Sequence, residues 1–317
     1  MTQPVNAVEM NNISKSFFGT KVLNDVSFVV RAGEIHALAG ENGAGKSTLM
    51  KILQGVYQKD AGEIRVAGES KKIESFADAL ASGIGMVFQE FSLVPDLTVA
   101  QNIFLNREPK NKFGMITDNA SVKQAREILA NLDLDLDVAA KVRTLGRAYQ
   151  QLTEIAKAIS FNAKVLILDE PTAGVDIEIR RSMWKMMEEV NQQGTTIILT
   201  THYLEEAESL CRNIAIIDQG RIVENTDMAS LLARLHVDHF VLDLAEPLAQ
   251  APVIAGYQIE RIADKVLDVA VPKEIGLNYL FNQLSEKNIK VVSLKNKSNR
   301  LEQLFMSLID TKSAGNK

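Results

Sequence analysis

The stretch Gly40-Glu41-Asn42-Gly43-Ala44-Gly45-Lys46-Ser47-Thr48 decides the fold of this chain. It matches the phosphate-loop pattern G-x-x-x-x-G-K-[ST] at every required position. Residues 35–39 before it form a short apolar run, and residues 49–53 after it have helical spacing. In this context of strand, glycine turn and helix, backbone N–H groups curl around phosphate oxygens and the helix N-terminus faces the anion. The stretch predicts a nucleoside triphosphate site in which Lys46 reaches the β- and γ-phosphates and the Ser47 hydroxyl is a ligand of Mg²⁺.

Length and composition are those of an ordinary globular chain. The 317 residues are 46% hydrophobic and 24% charged, which suits either one large domain or a domain plus an appendage. A net charge of −5 argues against a sequence-independent nucleic-acid binder, so we expect no nucleic-acid partner. The single cysteine, Cys211, cannot form an internal disulfide, and its apolar neighbours predict a small buried residue in a reducing compartment. Neither an apolar run of about 18 residues nor a secretory signal occurs, so we expect a cytoplasmic protein.

Hydrophobic periodicity changes three times along the chain. Residues 8–30 alternate apolar and polar in two blocks, which predicts antiparallel strands joined across Phe17-Phe18-Gly19. From about residue 98 to residue 161 the spacing is helical and predicts a mostly helical insert. Strand-length apolar runs that alternate with helices predict a parallel sheet; they lie at residues 84–88, 164–170 and 196–200.

Around His236 the pattern changes again, to a series of short strands and helices in the order ββαβα. We therefore expect an α/β fold with two domains. Residues 1–235 form the nucleotide-binding domain, with a helical subdomain at about residues 95–160. Residues 236–317 form a small α+β accessory domain.

Four polar side chains at the ends of predicted strands extend the candidate site. Asp169 closes a buried strand and is placed to orient a water on Mg²⁺. Glu170 follows directly and points in a different direction, which makes it the candidate general base. His202 and Gln89 end two other strands, and ligands collect at the carboxyl ends of such strands. His202 is thus placed to hydrogen-bond the γ-phosphate, and the Gln89 amide to bridge the metal and the attacking water.

In this order, Phe17, GENGAGKST, Gln89, LILDEP, TAGVD and His202 resemble the motifs of the ATP-binding cassette (ABC) ATPases over about residues 8–230. The resemblance implies a P-loop NTPase fold with a RecA-like core, an antiparallel β subdomain and a helical subdomain, and it implies ATP and Mg²⁺ as cofactors. It places the catalytic roles on Glu170, His202 and Gln89, and the metal ligands at Ser47, Gln89 and Asp169. Asp176 matches the D-loop aspartate. The implied ATP-binding residues are Phe17, Gly40, Glu41, Asn42, Gly43, Ala44, Gly45, Lys46, Ser47 and Thr48. Phe17 matches the aromatic that stacks on adenine, with Phe18 as the alternative.

The resemblance also implies a partner, because in this family two domains sandwich two ATP molecules head to tail. Each domain presents a signature, normally Leu-Ser-Gly-Gly-Gln, to the ATP bound by the other. The matching stretch here is Leu145-Gly146-Arg147-Ala148-Tyr149, followed by Gln150. The serine hydroxyl is absent at Gly146 and neither following glycine is kept. We expect ATP binding to be unaffected and hydrolysis to be weaker than with an intact signature.

The implied function is that of the ATPase subunit of an ABC transporter, whose closure drives separate membrane permease chains. It would act as a homodimer, or a heterodimer with a related subunit, at the inner face of the cell membrane. The alternative is a regulatory or non-transport ABC ATPase with weak or no hydrolysis. Residues 10–162 resemble monosaccharide-importer ATPases, whereas residues 163–317 resemble ABC-2-type exporter ATPases. A mosaic with its junction near residue 162 and a single divergent lineage both remain open, as do substrate and direction.

Overall fold

The computed structural model describes residues 5–88, 92–110, 118–234, 237–297, 301, 302 and 304. Gln89, His236 and most of the last helix expected from the sequence lie outside the described residues. The chain divides into two compact units, Met1–Thr226 and Asp227–Lys317. The strands are β1 (Asn6–Phe17), β2 (Thr20–Arg31), β3 (Ile35–Ala39), β4 (Ala61–Val66), β5 (Glu69–Ser70), β6 (Ile84–Val87), β7 (Val165–Asp169), β8 (Thr196–Thr201), β9 (Asn213–Asp218), β10 (Arg221–Asp227), β11 (Val237–Leu244), β12 (Gln258–Ala263), β13 (Val266–Pro272) and β14 (Val291–Asn296). The helices are α1 (Lys46–Leu53), α2 (Phe76–Ala81), α3 (Val99–Ile103), α4 (Asp118–Asn131), α5 (Arg147–Ile159), α6 (Ile177–Gln192), α7 (Leu204–Leu210), α8 (Met228–Ala233) and α9 (Gly276–Glu286), with a 3₁₀ helix at Val142–Thr144.

The first unit contains an antiparallel sheet in the order β2-β1-β4-β5. Strands β1 and β2 pair from Asn6 opposite Arg31 to Phe17 opposite Thr20. The two-residue turn between them has positive φ at both positions, 49° at Phe18 and 84° at Gly19, as tight hairpins require. The antiparallel pair expected across this turn is confirmed.

A six-stranded sheet in the order β10-β9-β3-β8-β7-β6 forms the centre of the same unit. Strands β6, β7, β8, β3 and β9 run parallel. All residues of β3, β7 and β8 are buried, which explains their continuous apolar sequences. The parallel sheet is confirmed, and its carboxyl edge carries the residues that follow β3, β7 and β8.

Helix α1 packs into the core shared by the two sheets. Its side chains Leu49, Met50, Ile52 and Leu53 are at most 1% exposed and belong to one cluster with residues of β1, β2, β3 and β7. Burial of each such side chain stabilises the fold by roughly 1.5–3 kcal/mol. Because α1 starts at Lys46, this packing fixes the phosphate loop against the sheet.

The helical insert consists of α3, α4, the 3₁₀ helix and α5, as the periodicity predicts. Arg107, just after α3, joins it to the end of α5. Its guanidinium donates to Ser160 Oγ at 2.7 Å and to the Ile103 carbonyl at 3.0 Å, and it lies 3.5 Å from the centroid of the Phe161 ring. One partly buried side chain therefore joins the two helices.

The second unit contains an antiparallel sheet in the order β12-β13-β11-β14, with α9 packed on it. The core of this unit is built on Phe240, Leu242, Leu267, Val269, Leu280 and Leu284. The sequence predicted two strands before the helix, and the structure has three. The missed strand, β12, lacks the apolar alternation of its neighbours because five of its six residues are exposed. Throughout the described part of the chain, no helix is both long enough and apolar enough to cross a membrane.

Candidate functional site

The phosphate loop connects β3 to α1, and glycine is required at both of its ends. A Cβ at Gly40 would lie 2.4 Å from the Ile217 carbonyl oxygen. Gly45 has a φ of 112°, and a Cβ there would lie 2.8 Å from a methyl group of Leu23. Gly45 is the N-cap of α1, so the first N–H groups of the helix point into the loop. The loop is therefore a preformed cradle for an anion.

Lys46 is 4% exposed and lies across this loop. Its ammonium donates to the carbonyl oxygens of Gly40 at 2.8 Å and Glu41 at 3.0 Å, and Glu170 Oε1 lies 3.8 Å away. Burial lowers the pKa of Lys46, and the carboxylates of Glu170 and Asp169 oppose that shift. A positive charge is thus held at the bottom of the anion cradle.

Asp169 ends β7 with a 3% exposed side chain that faces the loop. Its Oδ1 accepts hydrogen bonds from Ser47 Oγ, at 3.3 Å, and from Thr200 Oγ1. Asp169 and Ser47, predicted to share a metal ion, therefore do lie together. Thr200, on β8, was not expected from the sequence; only its position one strand over from Asp169 could have indicated it.

Glu170 has an unusual backbone conformation, with a φ of 49°. Such a conformation costs a residue other than glycine on the order of 1–3 kcal/mol and persists only where the surroundings enforce it. Its N–H donates to both the carbonyl and the hydroxyl oxygen of Thr200, each at 3.1 Å. The resulting turn directs the Glu170 side chain to the cavity, where Oε1 lies 3.2 Å from His202 Nδ1. Glu170 and His202, predicted independently, are neighbours.

These groups surround one cavity of about 530 Å³ at the carboxyl edge of the parallel sheet. It is lined by Val22, Asn42, Gly43, Gly45, Lys46, Ser47, Thr48, Glu170, Ala173 and His202. The phosphate loop supplies donors to an anion, whereas Glu170 can accept a proton from a bound water. The cavity therefore combines donors for an anion with a carboxylate, the two groups that the predicted phosphate site and general base require.

The two aromatic candidates for adenine differ in their surroundings. Phe17 is partly buried at the end of β1, with Tyr57 edge-on to its ring at a centroid distance of 5.1 Å and the Lys15 ammonium 5.2 Å from its centroid. Phe18 is fully exposed at the tip of the hairpin. Neither ring lines the cavity of the phosphate loop. The assignment of adenine to Phe17, with Phe18 as the alternative, stays a prediction.

The remaining predicted site residues lie apart from this cavity. Asp176 is the N-cap of α6 and accepts a hydrogen bond from the N–H of Ile179 at 3.0 Å. The signature stretch forms the start of α5, with Gly146 as its N-cap, and Gln150 Nε2 donates to the Leu145 carbonyl at 3.0 Å. Among the described residues lining the cavity there is none from 145–150. This separation agrees with a stretch that serves another subunit, a role that stays a prediction.

A phosphate loop between a buried strand and a helix, with Asp169 and Glu170 at the end of β7 in the same parallel sheet, defines a P-loop nucleoside triphosphatase fold. Within that class, residues 23–173 match the family model described as "ABC transporter", so this part of the chain is an ABC transporter ATP-binding domain.

Relatives and solved structures agree with this assignment. The chain is 44% identical over 224 residues to the ribose import ATP-binding protein RbsA 2 of Burkholderia ambifaria, covering 70% of this chain and 44% of that protein. It is also 44% identical over 227 residues to a putative ribose/galactose/methyl galactoside import ATP-binding protein of the same species, covering 71% of this chain and 44% of that protein. The chain thus spans less than half the length of these curated relatives. The alignment to RbsA 2 spans 224 residues, which is more than the segment 10–162 contains. The similarity to import proteins therefore continues past residue 162.

Two solved structures share the fold. A nucleotide-free ATP-binding cassette from an ABC transporter superimposes with a TM-score of 0.65 at 24% identity, over 71% of this chain and 93% of that one. A dimeric ATP-binding cassette with ADP and phosphate superimposes with a TM-score of 0.61 at 23% identity, over 70% of this chain and 98% of that one. The predicted ABC ATPase fold is confirmed.

Proposed function

We propose that the chain is the ATP-hydrolysing subunit of an ABC importer, and that it acts on separate permease chains. The observation that carries the proposal is the position of the Glu170 carboxylate, between Lys46 and His202 at the mouth of the phosphate loop. This arrangement puts a base, a cation and an additional hydrogen-bonding group around a single site for the γ-phosphate.

Each side chain then has a defined part in hydrolysis. Glu170 accepts a proton from a water as the water oxygen attacks the γ-phosphorus, and the bond to the ADP oxygen breaks. Lys46 and the N–H groups at the start of α1 stabilise the charge on the phosphates. His202, 3.2 Å from Glu170, orients that carboxylate and donates to the γ-phosphate.

The oxygen atoms near the loop fit a magnesium ion. The Ser47 hydroxyl and the Asp169 carboxylate lie 3.3 Å apart, and Mg²⁺ is usually held by one or two such protein oxygens together with water and substrate phosphates. Gln89 is the third ligand in our proposal and lies outside the described residues. When bound, the ion supplies charge neutralisation on the β- and γ-phosphates.

We further propose that two copies, or this chain and a related one, close head to tail on two ATP molecules. The start of α5 then faces the ATP of the partner. Its N–H groups are available to an anion, but the serine hydroxyl of an intact signature is missing at Gly146. A Cβ at Gly146 meets no described heavy atom within 4 Å, so a side chain can be restored there without a clash.

Restoring the signature with Gly146→Ser and Ala148→Gly is expected to raise ATP turnover by about tenfold, since one phosphate donor in an active site is often worth that much or more. The measurement is steady-state phosphate release by the purified chain at saturating MgATP. Gly146→Ala, which adds a Cβ without a hydroxyl, is the matched control and should leave the rate unchanged. A double variant with the wild-type rate would contradict the proposed role of this stretch.

Monosaccharides are the proposed substrate class, and import the proposed direction, because of the identity to proteins named for ribose import. We assign the permease contact to residues 89–145 and the groove beside them. That groove has a volume of about 420 Å³ and is lined by apolar side chains such as Phe76, Leu105 and Phe161, with Arg107 and Lys157 among them. In this proposal the chain sits at the inner face of the cell membrane through the permease.

Two measurements test the proposal together. The purified chain should release phosphate from MgATP, and a tagged chain expressed from its own locus should copurify from membranes with a permease. Absence of phosphate release at every ATP concentration would refute the ATPase assignment. Phosphate release without any copurifying membrane protein would instead favour a non-transport ABC ATPase.

A further inference from the structure

Glu206, in the first turn of α7, is a carboxylate that the mechanism above does not use. It is 1% exposed. Its Oε1 accepts hydrogen bonds from Thr172 Oγ1 at 2.9 Å and from the indole Nε1 of Trp184 at 3.3 Å. Burial raises the pKa of Glu206, and these hydrogen bonds oppose the rise. A carboxyl group is costly to bury even with such partners, so its position requires an explanation.

The contacts of Glu206 connect α7 to the turn after Glu170 and to α6. Thr172 lies two residues after Glu170, and α7 begins two residues after His202. Trp184 lies on α6, the helix that Asp176 caps. Glu206 Oε1 therefore links the turn after Glu170, the proposed base, to the start of α7, which follows His202.

Glu170 needs such a tie because of its strained backbone. On the upstream side, its N–H is held by Thr200 on β8. On the downstream side the chain turns sharply, with the Ala173 N–H donating to the Glu170 carbonyl and the Val175 N–H donating to the Thr172 carbonyl, each at 3.2 Å. The hydrogen bond from the Thr172 hydroxyl to Glu206 Oε1 holds this turn against α7. Strain at a functional residue persists only when both sides are held.

A second contact supports the same arrangement. Arg180 on α6 donates to the Val175 carbonyl at 3.3 Å, and its guanidinium carbon lies 5.2 Å from the centroid of the Tyr203 ring. Tyr203 directly follows His202, and the two rings are 4.0 Å apart. The loop after Glu170 and the segment after His202 are thus fastened to α6 at two points, of which the Glu206 contact is the buried one.

We propose that Glu206 is a positioning residue for ATP hydrolysis, which holds the turn after Glu170 and the segment after His202 in one fixed arrangement. The inference rests on the proposed function, because it assigns the held groups to the hydrolytic step. Glu206 touches neither nucleotide nor water in this role; it acts through Thr172 and through the start of α7.

The test compares Glu206→Ala, Glu206→Gln and Thr172→Val in the full chain, with Glu205→Ala as the matched control. Glu205 is an exposed carboxylate on the same helix turn. Phosphate release is measured over a range of MgATP, and hydrogen exchange is followed in peptides covering residues 170–176. Trp184 is the single tryptophan of the chain, so its emission reports directly on the environment of the carboxylate.

We expect Glu206→Ala and Thr172→Val to lower kcat by about tenfold or more with KM changed less than about twofold, since small displacements of catalytic groups cost rate rather than binding. Exchange at 170–176 should accelerate in both. Glu206→Gln should stay within about threefold of wild type, because its amide oxygen still accepts from both donors. Thr172→Val and Glu206→Ala combined should be no worse than Glu206→Ala alone.

Each contrary result has a distinct meaning. Wild-type kcat and exchange in Thr172→Val would overturn the inference even if Glu206→Ala failed to fold. So would a Glu206→Gln variant as impaired as Glu206→Ala, or equal losses of kcat and nucleotide affinity. A wild-type chain that binds ATP and releases no phosphate would refute the proposed function alone. Exchange at 170–176 would then decide whether Glu206 holds the turn.

Discussion

Replacing Glu170 by glutamine is expected to lower ATP turnover by about a hundredfold or more, because general-base catalysis typically contributes that much. The amide keeps the size of the side chain and can still pair with His202, but it cannot accept the proton of the attacking water. ATP binding should persist, since Lys46 and the loop N–H groups are unchanged. The measurements are phosphate release at saturating MgATP and equilibrium binding of a fluorescent ATP analogue.

If two copies close on ATP as proposed, the same variant should also accumulate as an ATP-bound dimer, because the hydrolysis that would reopen the dimer is blocked. Size-exclusion chromatography with light scattering, with and without MgATP, would detect this change in mass. Glu178→Gln, an exposed carboxylate in the first turn of α6, is the control and should behave as wild type. If Glu170→Gln hydrolysed ATP at the wild-type rate, another group would have to be the base.

Replacing Lys46 by alanine is expected to weaken ATP binding by about ten- to a hundredfold, the equivalent of losing a charge-assisted hydrogen bond of roughly 1.5–3 kcal/mol. The loss has two physical sources. The ammonium lies 3.8 Å from Glu170 Oε1, so its removal takes a buried cation away from that carboxylate and leaves it beside His202. It also leaves the carbonyl oxygens of Gly40 and Glu41 without their donor, which loosens the shape of the loop itself.

Binding of the fluorescent ATP analogue, measured by titration without turnover, provides the test for Lys46. Lys72→Ala removes an exposed lysine whose ion pair with Glu74 lies at the surface and should bind as wild type. Thermal unfolding of both variants separates a loosened loop from a lost fold. Unchanged affinity in Lys46→Ala would place the triphosphate elsewhere.

The sequence predicted well whatever depends on local chain geometry. The phosphate loop, the strand ending in Asp169 and Glu170, and the strand before His202 are each readable from a few consecutive residues. Parallel strands of a sheet bring their carboxyl ends together, so motifs far apart in the chain were expected at one edge, and the structure has them there.

Long-range partners could not be predicted in this way. Nothing in the sequence distinguishes Thr200 and Thr172 from other threonines. In the fold, Thr200 donates a hydrogen bond to Asp169, and Thr172 donates one to Glu206. Strand β12 was missed for the opposite reason, because most of its side chains face solvent and carry no apolar alternation. Periodicity reports burial, so it fails where a strand is held mainly by its backbone hydrogen bonds.

The contacts of Arg107 with Ile103 and Ser160 couple the far end of α5 to α3. Helix α5 has 13 residues and is therefore about 18 Å from its first to its last Cα. Its start contains residues 147–150. At its far end, Arg107 hydrogen-bonds both Ser160 and, on α3, Ile103. A tilt of about 5° at one end of a rigid rod of that length moves the other end by about 1.5 Å. If α5 moves as a rigid helix, a displacement at its start would thus be transmitted to the groove beside Leu105.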